Sequence, residues 1–401
     1  MSGARVLVAG ASIGGPALAY WLRRRGAEVT VVERAPALRP GGQAVDARGV
    51  AKEVIRRMGL DAAVRAARTE TAGGHTVDVD GTVLETFRAD DDGGDGYISE
   101  IEILRGDLSQ VLYDVTRDGV EYVFGDRIAE LTQDEDGVDV TFMSGVRRRF
   151  DLVVGADGLH SSLRAMVFGP HERFVRHLGL VLAFYGVPNE FGVDRWLIDY
   201  QDKGSGRSAG LRPVPDVTRA MAMLSFPAPD FVIDYRDVAA QKDLLRERMA
   251  GLGWLTPRIL AHLDDAEDFY LDQVAQVVMD RWHSGRVGLL GDAAFSSSPF
   301  SGGGTGMALV GAYLLAGELA AAGWDPRAGF AGYEQRMRPF VEANQEIGRL
   351  HVQSRAVSGP DAEAAPEPDM EALMAVVERA INGVDLPDYA GVPGSEVPAG
   401  S

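Results

Sequence analysis

The sequence predicts an α/β protein in which a Rossmann-like, parallel-sheet domain is interrupted by a mostly antiparallel β-sheet and closed by C-terminal helices. Three observations predict it. An apolar run at residues 6–9 enters a glycine turn at 10–15, followed by an apolar helix face and a second run that ends at Glu33 and Arg34. Two later segments, 151–164 and 285–307, repeat a buried strand running into glycine, aspartate and small residues. Between 171 and 275 the texture changes to aromatic and proline-containing strands.

Each element carries its own signal. Residues 6–9 read as a buried strand. Ala17, Leu18, Trp21 and Leu22 form one face of the helix that follows, and Gly26 stops it. Residues 29–33 are nearly all β-branched and make a second strand. A proline-glycine loop at 36–42 leads to a helix around 50–58, stopped by Gly59. Residues 76–84 alternate about Asp80-Gly81, a tight-turn pair that makes them a hairpin. The acidic loop 90–95 is expected to be mobile. A short strand at 101–104, a helix at 107–115 and two strand pairs over 120–154 follow. The inserted sheet takes strands at 180–185, 196–200 and 219–226 and a helix at 238–249. The chain then returns to the first domain with strands near 273–279 and 286–290 and helices at 306–321 and 330–350. The expected division is 1–170 with 276–355, an inserted unit at 171–275, and a C-terminal helix and disordered tail at 356–401.

With 401 residues and 46% hydrophobic content, the chain can bury two packed units. A net charge of −19 argues against a nucleic-acid or anionic-membrane partner. The basic clusters at 23–25 and 147–149 read as solvated flanks of a helix and a strand. No cysteine is present, which excludes disulfides, thiolate catalysis and Cys-ligated metals. The histidines lack metal-ligand spacing, so no metal is expected, and His75, His160 and His283 read as surface or hydrogen-bonded residues. No G-x-S-x-G elbow marks a hydrolase. The N-terminal arginines follow the apolar run instead of preceding it, the reverse of a signal peptide. The apolar stretch 307–317 is too short to span a bilayer. These readings predict a cytoplasmic protein without stable membrane insertion.

The first turn, Gly10-Ala11-Ser12-Ile13-Gly14-Gly15, approximates G-x-G-x-x-G with Ser12 at the middle position. Such a turn brings backbone N–H groups to a pyrophosphate at a helix N-terminus, and an acid such as Glu33 accepts from a ribose. The Ser12 hydroxyl can donate to phosphate. The second segment puts Asp157-Gly158 where a polar group can meet a ribose or diphosphate. The third delivers Asp292 after Gly291, then Pro299 and a glycine run into a helix. Successive glycines are costly to order and are tolerated where backbone lies close to a ligand.

Together these segments resemble the single-component FAD-dependent monooxygenases of the p-hydroxybenzoate hydroxylase-like family, the class A aromatic hydroxylases, which include tetracycline-modifying and kynurenine monooxygenases. The resemblance covers about residues 4–350 and implies a glutathione-reductase-like FAD domain. Gly10, Gly15 and Glu33 look like its adenosine site, Asp157-Gly158 like its D-G motif, and Gly291-Asp292 like its G-D motif, whose aspartate holds the ribityl chain. Arg105, within Leu104-Arg-Gly-Asp-Leu108, is similar to its flavin-binding arginine. Asp46 and Arg48 lie where the family contacts flavin and nicotinamide nucleotide. The implied cofactor set adds Ser12, Ile13, Gly14, Arg34, Pro299, Gly302, Gly303, Gly304, Thr305 and Gly306. Where the family often reads G-D-A-A-H and G-Q-G-x-N, this chain has Phe295, Gly303 and Gly306, which points to a roomier or more apolar site.

The resemblance implies bound FAD, reduced by transiently docked NADPH or NADH. Oxygen then adds at the flavin C4a, and the hydroperoxide transfers one oxygen to an aromatic or polyketide-like small molecule of secondary metabolism, or to a ketone in a Baeyer–Villiger reaction. The chemistry is flavin-borne, so no protein group is expected to be catalytic. The protein orients the substrate and excludes water. Substrate contacts are expected from Phe184, Trp196, Tyr200, Arg212 and Phe226 of the inserted sheet and from Phe300 of the glycine loop, with Arg212 suited to an acidic or enolic oxygen. Two alternatives are a flavin reductase or oxidase without oxygen insertion and a non-catalytic flavin- or drug-binding protein. Substrate identity, nicotinamide choice and oligomeric state are open at this level.

Overall fold

A computed structural model describes residues 3–89, 94–96, 98–229, 233–354 and 370–389. Its first domain is built on a six-stranded sheet in the order His283–Ser284, Val287–Leu289, Leu152–Gly155, Arg5–Ala9, Glu28–Glu33, Glu121–Phe124. Every pairing is parallel except the terminal one. Val6, Leu7 and Val8 point alternately to the two faces and none is exposed, so both faces are covered. The helices Gly14–Arg24 and Gly304–Ala321 and a three-stranded sheet over 128–150 supply that cover. The first helix starts hard against its turn: a Cβ on Gly15 would lie 1.8 Å from the Gly10 carbonyl oxygen, so only glycine fits there.

The second sheet has seven strands, in the order Tyr270–Val277, Val175–Pro188, Arg219–Pro227, Arg207–Pro213, Trp196–Asp202, Gly73–Val77, Val83–Arg88. The 76–84 hairpin forms, but its strands complete this inserted sheet, with Gly73–Val77 pairing in parallel beside Trp196–Asp202. Tyr270–Val277 also belongs to it, so the expected boundary at 275 falls inside a strand. Alternation identifies a strand, yet says nothing about which distant strand receives its hydrogen bonds. One face of the sheet buries Val181, Ala183, Tyr185, Leu211 and Leu224 with residues of the helices Val238–Met249 and Thr256–Ala261. The other face turns toward the first domain, where Leu180, Leu182 and Val274 meet Phe300.

The helix Pro326–Ser354 packs on Gly304–Ala321 and receives Met370–Asn382, tied by Asn344 Nδ2 donating to the Ala380 carbonyl at 2.9 Å. Within the 356–401 segment expected to end in a disordered tail, residues 384–389 are packed on the first domain. Tyr389 is buried, donates to Glu318 at 2.9 Å, and occupies the space left by Gly317, where a Cβ would lie 2.2 Å from its ring. Arg25 lies 5.0 Å over that ring and is 3% exposed, so it is not the solvated arginine expected from its cluster. Residues 390–401 and 90–93 lie outside the described residues; Asp95 of the acidic loop pairs with Lys52 at 2.8 Å. Among the described residues, Gly304–Ala321 is the helix long and apolar enough to cross a membrane, extending beyond the apolar stretch read from sequence, and 78% of it is buried as a core helix.

Candidate active site

The glycine turn sits against the second glycine segment. Gly10 has φ of 109°, and a Cβ there would come within 2.4 Å of the Ala156 carbonyl oxygen. Glu33 closes the turn from the next strand: Ala11 N donates to its Oε2 at 2.9 Å and Ala35 N to its Oε1 at 2.8 Å. Each oxygen keeps a lone pair for a ribose hydroxyl. Beyond Glu33 lies a cavity of about 630 Å³ lined by Arg34, Leu38, Arg39, Gly125, Arg127 and Met143, whose flat guanidinium groups can stack on a purine.

Arg105 opens the helix Arg105–Asp114 and donates from Nε to Ser12 Oγ at 3.1 Å, leaving its terminal nitrogens available to an anion. Asp292 follows Gly291, whose φ is 63°. Solvent reaches the Asp292 side chain, yet protein surrounds it on most sides, as at the floor of a cleft. That burial raises its pKa, and the charge of Arg105 offsets only part of the rise. Arg48 pairs with Asp46 at 3.0 Å and reaches the Gly302 carbonyl at 3.4 Å, drawing the loop after the second strand onto the glycine run. Asp46 is pushed up to about 6, by burial first and against the pull of Arg48. Ser298, a non-glycine residue at φ of 83°, precedes Pro299–Ser301, and the helix beginning at Gly304 aims its N-terminus into the same cleft wall.

Asp157 is committed to shaping its own loop. Its carboxylate accepts from Ser161 Oγ at 2.5 Å, Ser162 N at 2.8 Å and Leu163 N at 3.2 Å, capping the helix Ser162–Phe168. Arg164, which sequence reasoning passed over, is fully buried. It donates to the Ala293 carbonyl at 2.9 Å and the Leu159 carbonyl at 2.7 Å, so it bolts the second glycine segment to the third. An arginine on the inner face of a short apolar helix was the available signal.

The inserted sheet decides which side chains reach the cleft. Side chains alternate along each strand, so one parity faces the first domain and the other faces the helix-covered core. Phe184 lies on the cleft side beside Met223, and Phe300 packs there from the glycine loop. Arg212 lies there too, gripping Asp199 with two bonds of 2.9 and 3.0 Å. The other three expected contacts have the opposite parity. Tyr200 and Phe226 belong to the helix-covered core, with Tyr200 6.2 Å from Trp254. Trp196 stacks on His75 at 4.8 Å, under Arg88. Aromatic content alone could not choose the face. The same parity brings Asp199, Met223, Tyr270 and Asp272 to the cleft side, none of them singled out beforehand.

Residues 3–347 match the family described as FAD binding domain. A flavin-dependent monooxygenase of Legionella longbeachae is 36% identical over 392 residues, covering 96% of this chain and 98% of that one. The chain belongs to the flavin-dependent monooxygenases. An uncharacterized protein of Mycobacterium tuberculosis is 46% identical to this monooxygenase over 387 residues, 96% of this chain and 99% of that one. Among solved structures, the tetracycline destructase Tet(51) superposes with a TM-score of 0.84 at 36% identity, over 97% of this chain and 100% of that one. The residues present suit the FAD that this family binds: Arg105 and the starts of two glycine-led helices offer positive charge for a diphosphate, and Glu33 and Asp292 beside them offer carboxylates for hydroxyl groups.

In the monooxygenase, His171 Nδ1 accepts from Arg164 at 2.9 Å, which requires a neutral ring. Burial, then the charge of Arg164, lowers its pKa from 6.5 to about 4. The folded state therefore binds fewer protons than the unfolded state between these values. The stability from this group is complete above about 6.5 and is lost as pH falls toward 4. His171→Asn, which retains an acceptor but cannot titrate, is expected to show a shallower fall of apo-protein melting temperature across that window. An unchanged slope would refute the assignment.

Proposed function

We propose that this monooxygenase holds FAD along residues 10–15, Glu33, Arg105, Asp292 and the glycine run 302–306, and inserts one atom of O2 into a planar, multi-ring phenolic or enolic small molecule of polyketide type. Supporting this reading is the cleft-side face of the inserted sheet. It combines the half-buried apolar side chains Phe184 and Met223, backed by buried Leu180 and Leu182, with the half-buried cation Arg212, held flat by Asp199. An apolar wall buries fused rings, and a guanidinium held in plane by a carboxylate presents a positive charge that suits an acidic or enolic ligand oxygen. The full-length likeness to a protein named as a tetracycline destructase supports the same substrate class.

Bound FAD, reduced by NADPH or NADH, supplies the activation of oxygen. The protein's residues do the rest. Arg105 and the helix N-termini neutralise the diphosphate, Asp292 and Glu33 accept from hydroxyl groups, and Arg212 orients an acidic substrate oxygen. Phe184 and Phe300 exclude water from the reacting faces. A nicotinamide reductant, drawn from the intracellular pool, supports a cytoplasmic setting. The test is to incubate the purified, FAD-loaded protein with NADPH, oxygen and a panel of polycyclic phenols and enols, and to weigh the products. A product heavier by one oxygen atom supports the proposal. NADPH consumption without an oxygenated product from any of the panel counts against it.

A further inference from the structure

Asp272 is 5% exposed and sits on the cleft-side parity of the strand Tyr270–Val277. Four donors converge on it. His160 Nε2 and Tyr270 Oη each lie 2.8 Å from Oδ2, and Tyr235 Oη and Gln273 N each lie 2.8 Å from Oδ1. Burial alone would raise this carboxyl, but the bonds from His160, Tyr270 and Tyr235 hold it below the ordinary carboxylate range. Against an ionised acceptor, the Tyr270 hydrogen must lie on the Asp272 side. The phenolic oxygen of Tyr270 then has only lone pairs left to offer. Tyr270 is 48% exposed although protein closes round it on most sides, and the charge of Arg105 acts on it. Arg105 is bonded to Ser12 of the glycine turn and faces Asp292, so Tyr270 borders the cofactor end of the cleft. A fixed acceptor there calls for an O–H or N–H donor. A diphosphate has none, whereas the sugar-alcohol chain and ribose of FAD have several.

We infer that Tyr270 is a cofactor contact supplied by the inserted domain, accepting a hydrogen bond from an FAD hydroxyl, with Asp272 as the positioning residue that keeps the tyrosine hydrogen turned away from the cleft. His160 belongs to the loop that Asp157 shapes, so the same carboxylate fastens that loop to the inserted sheet. Both domains then grip one cofactor.

Titration of apo-protein with FAD, followed by quenching of flavin fluorescence, tests this. Tyr270→Phe is expected to weaken FAD about three- to tenfold, the effect of one ordinary hydrogen bond. Tyr235→Phe removes the other phenolic donor from Asp272 and is expected to change FAD affinity less than about twofold, since Tyr270 keeps its geometry. Asp272→Asn can donate to the Tyr270 oxygen and so turn the tyrosine hydrogen toward the cleft. It is expected to weaken FAD as Tyr270→Phe does, and the double variant no further. If Asp272→Asn fails to fold, the two tyrosine variants decide alone. Unchanged FAD affinity in Tyr270→Phe overturns the inference. So does an equal loss in Tyr235→Phe, or a Tyr270→Phe defect confined to substrate KM.

Discussion

Asp292→Ala is expected to leave purification without FAD while the apo-protein melts at an unchanged temperature. The separation follows from where the carboxylate sits. Asp292 faces the cleft, and burial already disfavours its charge, so removing it costs the empty fold little. Each hydrogen bond it makes to a cofactor hydroxyl is charge-assisted and contributes about 1.5–3 kcal/mol, so two such bonds lost together weaken FAD by about a hundredfold or more. Glu33→Ala makes the contrast. Glu33 also accepts from Ala11 N and Ala35 N, so its loss should lower both FAD affinity and apo-protein stability. Absorbance at the flavin band and calorimetry of both apo-variants check the pair. Full FAD occupancy in Asp292→Ala would remove Asp292 from the site.

Arg164→Ala is expected to be the most damaging substitution for the fold, at about 3–5 kcal/mol. It leaves the Ala293 and Leu159 carbonyls and His171 Nδ1 without their donor in the interior, and it opens a cavity the size of the lost side chain. Arg164→Met fills most of that volume without donating, so it should recover only the packing part. Urea denaturation of the apo-protein, with the slope held constant, measures both. A loss below about 1 kcal/mol in Arg164→Ala would mean that the segment carrying Asp157 is anchored by something else. Because Ala293 follows Asp292 directly, a surviving Arg164→Ala protein should also bind FAD more weakly.

Much of this was written locally in the chain. A β-branched run buried on both faces, a glycine turn that leaves no room for a Cβ at Gly15 and an acid closing the next strand are consequences of backbone sterics and hydrogen bonding within some thirty residues. They define the first two parallel strands, Gly15 and Glu33 without reference to the rest, whereas Gly10 is also held by the Ala156 carbonyl opposite it. Asp292 was legible for the same reason, since the strand before it and the glycines after it are contiguous. Arg105 was found by resemblance, and its bond to Ser12 belongs to the tertiary structure.

What periodicity could not supply was partnership. It marked 76–84 as a hairpin but could not attach it to Trp196–Asp202. It marked aromatic strands but not their parity, so Trp196, Tyr200 and Phe226 were placed on the cleft side when Phe184 and Arg212 alone among the sheet candidates stand there. In sequence the residues leading to Tyr389 read as the start of a free tail, and Gly317 and Arg25 provide their berth. Asp272 and Arg164 each join near neighbours to a partner more than a hundred residues away, His160 for the one and the Ala293 carbonyl for the other, and that distant half has no trace in the local sequence. The amino-acid order alone determined which segments are strand, turn and helix, because those preferences act over a few neighbouring peptide units. Which faces meet across the cleft was decided only in three dimensions, because burial and hydrogen bonding are satisfied by whatever chain lies opposite, however distant in sequence.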